Sequence, residues 1–199
     1  MATVHILHGI HVSEPAGGVG QLKSYFEKAG FDRVLVHSYG YIFVLPILPN
    51  AARWKNPKVV EEILPQIKSG DVIVGHSNGG TLARMLAERG APISGAVLIN
   101  PALDADAALA KQVRWIHVYF NKDDGVVWWS KIIISHPWGE QGRVGYDGEP
   151  DARYSNFDCA AEYPTISGHS DIFRPEKIYA WGPRIATRAW ISHLNHSEK

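Results

Sequence analysis

Short apolar runs alternate along the chain with segments whose apolar residues recur at helical spacing. The apolar runs cover residues 4–7, 33–37, 72–74, 96–99 and 115–120, and their short, β-branched or aromatic character predicts buried strands. Helical spacing covers residues 17–29, 58–69, 81–89 and 175–194, with a bend or break expected at Gly182-Pro183. The alternation predicts a mostly parallel sheet with right-handed crossovers and helices on both faces.

The third strand meets the following helix with almost no loop, and Ser77 stands at the corner. Such a corner forces strained backbone on the serine and leaves no room for bulky neighbours. Gly75 and Gly79 meet that requirement because they lack a Cβ. The serine Oγ is predicted to be exposed above a helix N-terminus, where N–H groups and the positive dipole end can stabilise an oxyanion.

Two aromatic segments do not fit the regular alternation. Residues 38–57 are apolar, but the prolines at positions 46 and 49 exclude a regular long helix. Residues 128–138 contain three tryptophans and three isoleucines, and residues 139–154 are predicted to form a loop or hairpin. Residues 39–54 and 128–138 are candidates for the walls of a substrate site, and equally for an oligomer interface. For the first of these segments, a loop pinned to the core is a further alternative.

The composition of the chain argues against several classes of protein, including nucleic-acid-binding and membrane-spanning proteins. The chain of 199 residues suits a single domain, 1–199, and its 20 basic residues balance 20 acidic ones, which argues against nucleic acid as a partner. No apolar run reaches the roughly 20 residues of a membrane span. The only cysteine, Cys159, excludes an internal disulfide, and the first residues lack the basic and apolar regions of a signal peptide. A soluble, cytoplasmic protein is expected.

The stretch Gly75-His76-Ser77-Asn78-Gly79 resembles the G-x-S-x-G nucleophile elbow of the α/β-hydrolase superfamily. The resemblance implies an α/β-hydrolase fold with little or no cap domain and Ser77 as the nucleophile. His8-Gly9, at the end of the first strand, is similar to the family's oxyanion loop. By that match, the backbone N–H groups of Ile10 and Asn78 are the expected oxyanion donors.

The same resemblance supplies an acid and a base in the family's chain order. Asp124 follows the 115–120 strand in a pattern similar to the family's Asp-x-x-Val-Pro, with a tryptophan in place of the proline. Asp123 is the adjacent alternative, and some family members place the acid after the preceding strand, where Asp104 and Asp106 lie. His169, in Gly-His-Ser ahead of the last helix, is the expected base.

The other histidines receive structural roles. His5, His37, His117, His193 and His196 lie in predicted strands or in the last helix, and the side chain of His76 is expected to point away from the position of a base.

The resemblance therefore implies a serine hydrolase that cleaves an ester through an acyl-serine intermediate, without a metal or an organic cofactor. Thioesterase and amidase or peptidase activity remain alternatives, as does a non-catalytic binding protein with the same fold. His8 and His11 have a ligand-like spacing, but no H-E-x-x-H is present. The expected partner is a small acyl substrate.

Overall fold

The protein is described here by a computed structural model, which covers residues 2–9, 17–39, 49–125, 139–163, 165–166 and 168–197, with backbone only for 49–54. Its centre is a parallel sheet, and the described residues contribute six strands: β1 Thr3–Leu7, β2 Arg33–His37, β3 Val72–His76, β4 Gly95–Ile99, β5 Trp115–Phe120 and β6 Tyr154–Asp158. The strand order is β2-β1-β3-β4-β5-β6. The predicted parallel sheet with intervening helices is confirmed.

Helices cover both faces of the sheet. Their bounds are α1 Lys23–Ala29, α2 Pro49–Ile63, α3 Asn78–Glu88, α4 Gln141–Val144, α5 Cys159–Glu162 and α6 Pro175–Ser197, with 3₁₀ turns at Gly18–Leu22, Leu64–Gln66 and Asp171–Phe173. Helices α1 and α6 share a core with one face of the sheet, and α2 and α3 share a core with the other. Successive strand residues enter opposite cores, as Val74 and Ile73 do, because side chains alternate along a strand.

The strand order has a switch point at β1, where the chain changes its direction of progress across the sheet. The chain leaves β1 for β2 on one side and returns to β3 on the other side of β1. At such a switch point the connections diverge from neighbouring strand ends, and α/β proteins usually bind ligands there. Ser77 follows β3 and Gly9 lies two residues after β1, so the predicted nucleophile lies at this switch point.

Three parts of the secondary structure differ from the sequence prediction. Helix α2 begins at Pro49 rather than at residue 58, because proline is well suited to the first position of a helix, and Pro57 is accommodated inside it. Residues 145–153 form a loop, as the sequence predicted, but residues 141–144 form the short helix α4 and Tyr154 begins β6, so the segment is not a hairpin. Helix α6 continues through Gly182-Pro183, where the glycine lets the ring of Tyr25 approach closely.

The remaining helical and strand predictions agree with the structure to within a few residues. Apart from β5, the described residues between β4 and β6 form the short helix α4 and loops, and these described residues contain no cap domain. No helix in the described ranges is long and apolar enough to cross a membrane. Residues 40–48 and 128–138, most of the two predicted aromatic walls, lie outside the described residues.

Candidate active site

Ser77 adopts the strained backbone that the sequence predicted. Its φ of 55° and ψ of −121° lie in a region that serine rarely adopts, and α3 begins at the next residue. The Ser77 N–H donates to the Ile99 carbonyl at 3.1 Å, and its carbonyl accepts from Gly80 and Ala102. These backbone bonds to β4 and to the residues after it hold the serine in a conformation that would otherwise relax.

The glycines around Ser77 are required by close backbone approach. A Cβ on Gly75 would lie 2.5 Å from the carbonyl oxygen of Gly79, and a Cβ on Gly79 would lie 2.2 Å from that of Leu7. Both distances are far below van der Waals contact. The backbones of β3 and of the first turn of α3 therefore approach each other too closely for a side chain at either position. The sequence argument for glycine at both positions is confirmed.

The end of β1 packs against the serine side chain. A Cβ on Gly9 would lie 2.9 Å from Ser77 Cβ and 3.3 Å from Ser77 Oγ. Ser77 is only 8% exposed, so it is less open than the sequence predicted, and the Gly9 backbone is one of the groups packed against it. The His8-Gly9 loop thus touches the proposed nucleophile, whereas the oxyanion donor predicted at Ile10 lies outside the described residues.

Asn78, the second predicted oxyanion donor, is the first residue of α3. In a helix, the N–H groups of the first turn point out of the N-terminal end. The Asn78 side chain forms a reciprocal amide pair with Asn56 of α2: each Nδ2 donates to the other Oδ1 at 3.0 Å. Both side chains are 3% exposed, so the pair ties the start of α3 to α2 in the interior. Sequence reasoning missed Asn56.

Asp124 and His169 form a direct ion pair or hydrogen bond. His169 Nδ1 lies 2.6 Å from Asp124 Oδ2, and the carboxylate side chain is fully buried. A carboxylate can only accept, so Nδ1 carries the hydrogen, and in a neutral ring Nε2 is then the acceptor. His169 Nε2 is buried and has no hydrogen-bond partner among the described residues; no hydrogen bond joins it to Ser77 Oγ.

The alternative acids do not occupy this position. Asp123, adjacent to Asp124, is exposed and uses its backbone N–H to bond Asn121 Oδ1 at 3.0 Å. Asp104 and Asp106 are also exposed. Of the four carboxylates considered from the sequence, Asp124 is the buried one and the one whose hydrogen bond to His169 is observed.

The backbone of the His169 loop is held by side chains from three neighbouring strand ends. His76 Nε2 lies 3.2 Å from the His169 carbonyl oxygen, and Asn100 Nδ2 donates to the same oxygen at 2.6 Å. Asn121 Nδ2 donates to the Gly168 carbonyl at 3.2 Å. The expectation that His76 points away from the base is therefore wrong, since its ring lies 4.9 Å from that of His169, centroid to centroid.

Two histidines beside the site stay neutral. Burial, reinforced by the nearby His169, lowers the pKa of His76 to about 3. Burial also lowers the pKa of His8, whose carbonyl accepts from the Tyr39 hydroxyl at 2.5 Å. The surroundings of His169 therefore contain uncharged rings at neutral pH, so they do not oppose a transient positive charge on it.

Cys159 does not compete as a nucleophile. It is 2% exposed, and burial, with Asp158 and Glu162 nearby, raises the pKa of its thiol to about 12. A thiol in such surroundings stays protonated and inert.

No family model matches the sequence, and no curated protein matches it. Solved structures do. The ydeN gene product of B. subtilis superposes with a TM-score of 0.57 at 14% identity, covering 98% of this chain and 100% of that one. A monoacylglycerol lipase from Paleococcus ferrophilus gives 0.56 at 15% identity, covering 96% and 94%. An extracellular alpha/beta-hydrolase from a Paenibacillus species gives 0.52 at 14% identity, covering 94% and 100%. The chain therefore has the fold of the α/β-hydrolase superfamily.

Proposed function

We propose that the protein is a serine hydrolase that cleaves carboxylic esters through an acyl-Ser77 intermediate. The observation that carries the proposal is the buried hydrogen bond of 2.6 Å between His169 and Asp124, in a protein that also places a strained serine at the switch point of its sheet. A serine hydroxyl is a weak nucleophile at neutral pH and needs a base oriented by a third group. Asp124, His169 and Ser77 supply those three groups.

Acylation uses His169 as the base. Its Nε2 takes the Ser77 hydroxyl proton as Oγ attacks the ester carbonyl carbon, and Asp124 stabilises the resulting imidazolium through Nδ1–H. The tetrahedral intermediate then collapses, the carbonyl–alkoxy bond breaks, and the Nε2 proton goes to the leaving alcohol. The absence of a bond between Ser77 and His169 here is compatible with this step, because catalytic hydrogen bonds are often long before substrate binds.

The negative oxygen of the intermediate needs hydrogen-bond donors. We assign this role to the backbone N–H groups of Asn78 and Ile10, the first at the N-terminal end of α3 and the second by the resemblance of the His8-Gly9 loop. One such donor contributes on the order of 3 kcal/mol to the transition state. Water then attacks the acyl group with His169 again as base, and the carboxylic acid leaves.

The choice of an ester rests on the resemblance of the triad order and on fold neighbours that include a protein named as a monoacylglycerol lipase. Thioesters and amides pass through the same acyl-enzyme, so a comparison of hydrolysis rates tests which of the three bonds the protein cleaves. Hydrolysis rates for one acyl group presented as ester, thioester and amide, each over a series of chain lengths, are expected to be highest for the ester.

A fluorophosphonate probe tests the reaction class directly. We expect it to label the protein at Ser77, and the label to be lost in Ser77→Ala and strongly reduced in His169→Ala. Circular dichroism of each variant serves as the folding control. A well-folded wild-type protein that takes up no label would refute the serine hydrolase and favour a binding protein with the same fold.

A further inference from the structure

The loop that carries His169 is fixed by the sheet rather than by secondary structure of its own. Its Gly168 has a φ of 102°, and the carbonyls of residues 168 and 169 accept from His76, Asn100 and Asn121. These three donors directly follow or end β3, β4 and β5, and each is at most 5% exposed. Three adjacent strands therefore present buried donors to one two-residue stretch of backbone.

Of the three donors, His76 is the one that can donate only in one tautomer. A carbonyl oxygen can only accept, so the bond to His169 requires the hydrogen of His76 on Nε2. The ring also lies in T-shaped contact with Phe173, at 4.9 Å between centroids. Since burial keeps His76 neutral, the ring keeps this single tautomer across the pH range in which His169 would act as a base.

We propose that His76 is a positioning residue, whose neutral Nε2–H tautomer holds the His169 backbone so that the imidazole stays aligned between Asp124 and Ser77. The inference rests on the proposed function. His169 receives its orientation from two ends: Asp124 fixes Nδ1, and His76 together with Asn100 fixes the carbonyl. Alignment of this kind matters because a displacement of about 1 Å at a reacting group can cost about 100-fold in rate.

The two donors on the His169 carbonyl are not redundant. A carbonyl oxygen has two lone pairs, and donors from β3 and β4 occupy it from different strands. Asn100 has a φ of 41°, and its backbone N–H donates to the Tyr119 carbonyl of β5 at 2.8 Å. The position from which its side chain donates is therefore fixed by β5. Removing the His76 donor leaves the oxygen bonded to Asn100 alone, and we expect the loop to stay folded while the imidazole loses its alignment.

A matched pair of variants isolates the donor. His76→Gln keeps an N–H near the position of Nε2, while His76→Met has similar length and volume without any donor. We measure fluorophosphonate labelling of Ser77 as a function of probe concentration, which separates the maximal rate from probe affinity. His76→Met is expected to lower the maximal rate about 10- to 100-fold with unchanged affinity, and His76→Gln to stay within about threefold of wild type.

A second measurement does not need activity. The His169 Nδ1 proton, bonded to Asp124, is expected to give a far-downfield proton NMR signal that persists in His76→Gln and broadens by exchange in His76→Met. If the Met variant does not fold, His76→Asn replaces it, since an asparagine amide ends near the position of Nδ1 and cannot reach the carbonyl.

The outcomes separate the two proposals. Equal labelling rates in His76→Met and wild type would overturn the positioning role, and so would equal losses in the Met and Gln variants, which would assign the effect to packing. A wild-type protein that takes no label would overturn the hydrolase instead, and the NMR comparison would still show whether His76 orients His169.

Discussion

His117 allows the stabilising effect of a buried neutral histidine to be measured away from the candidate site. It lies in β5, 5% exposed, with Nε2 3.0 Å from the Ser192 hydroxyl of α6 and its ring against Trp115 and Phe157. Burial, with smaller effects from the charges of Arg188 and His196, lowers its pKa from 6.5 to about 4. The fold therefore favours the neutral ring.

The sign and size of the pH effect follow from this difference. Below pH 6.5 the unfolded chain binds a proton that the folded protein does not accept until about pH 4. The stability due to His117 is thus fully present above that range and is lost as the pH falls through it. The full difference corresponds to about 3 kcal/mol, of which about 2 kcal/mol is lost by about pH 5.

The variant His117→Gln removes the ionisation and keeps an amide near Ser192. Urea unfolding of both proteins, followed by tryptophan fluorescence at about pH 7.5 and about pH 5, gives four free energies of unfolding. Wild type is expected to lose about 2 kcal/mol more than the variant between the two pH values. Contributions of the other histidines cancel in that difference, because both proteins contain them. Equal losses in the two proteins would refute the assignment of the pH dependence to His117.

Three further tests, which use four substitutions, concern the candidate site and the packing around it. Asp124→Asn is expected to slow labelling of the nucleophile by up to about 10⁴-fold, since an amide favours the wrong imidazole tautomer; rapid-quench labelling measures it. Gly79→Ala would place a Cβ 2.2 Å from the Leu7 carbonyl oxygen, so thermal unfolding should reveal a loss of about 3 kcal/mol or more. Asn56→Ala and Asn78→Ala should each cost about 1–3 kcal/mol, and the double variant less than their sum, in a double-mutant cycle of unfolding free energies.

The first two tests each have a control variant in the chain, and the third is decided by its own additivity. Asp123→Asn, at the exposed neighbour of the acid, should label at close to the wild-type rate, and comparable slowing would contradict the assignment to Asp124. Gly90 and Gly70 have positive φ and are unsuitable, whereas a Cβ on Gly125 meets no described atom within 4 Å, so Gly125→Ala should unfold near wild type. Strict additivity of the two asparagine variants would show that the amide pair is not energetically coupled.

The strands that the sequence predicted most clearly are those buried on both faces. In β3 and β4 every residue is buried, and such strands appear as continuous apolar runs. Strand β6 was missed because it lacks an apolar run: Ser155 and Asn156 are polar and exposed, so its sequence resembles a loop. Helix α2 was shortened in the prediction because proline was given too much weight, although at the first helical position its missing N–H costs little.

The polar residues that support the site were harder to predict than its reactive residues. Ser77 and His169 occupy short motifs with a family resemblance. Asn100 and Asn121 are single asparagines directly after strands, where asparagine is common, and Asn56 is a single asparagine inside α2. One physical signal was available for the last two: the carboxyl ends of adjacent parallel strands meet at one edge of the sheet. Asn56 had no such signal, because its contact with α3 depends on how α2 packs.

The carboxyl ends of the parallel strands explain how groups distant in sequence can act together. Ser77 follows β3, Asp124 lies four residues after the end of β5, and His169 lies in a loop without a strand of its own. Such a loop has few local interactions to restrict it, so a precise imidazole position has to come from tertiary bonds. The three buried donors at the ends of β3, β4 and β5 provide them. Because Asn121 also accepts from the Asp123 N–H at 3.0 Å, one side chain links the acid loop to the base loop, and movement of either loop would strain the other.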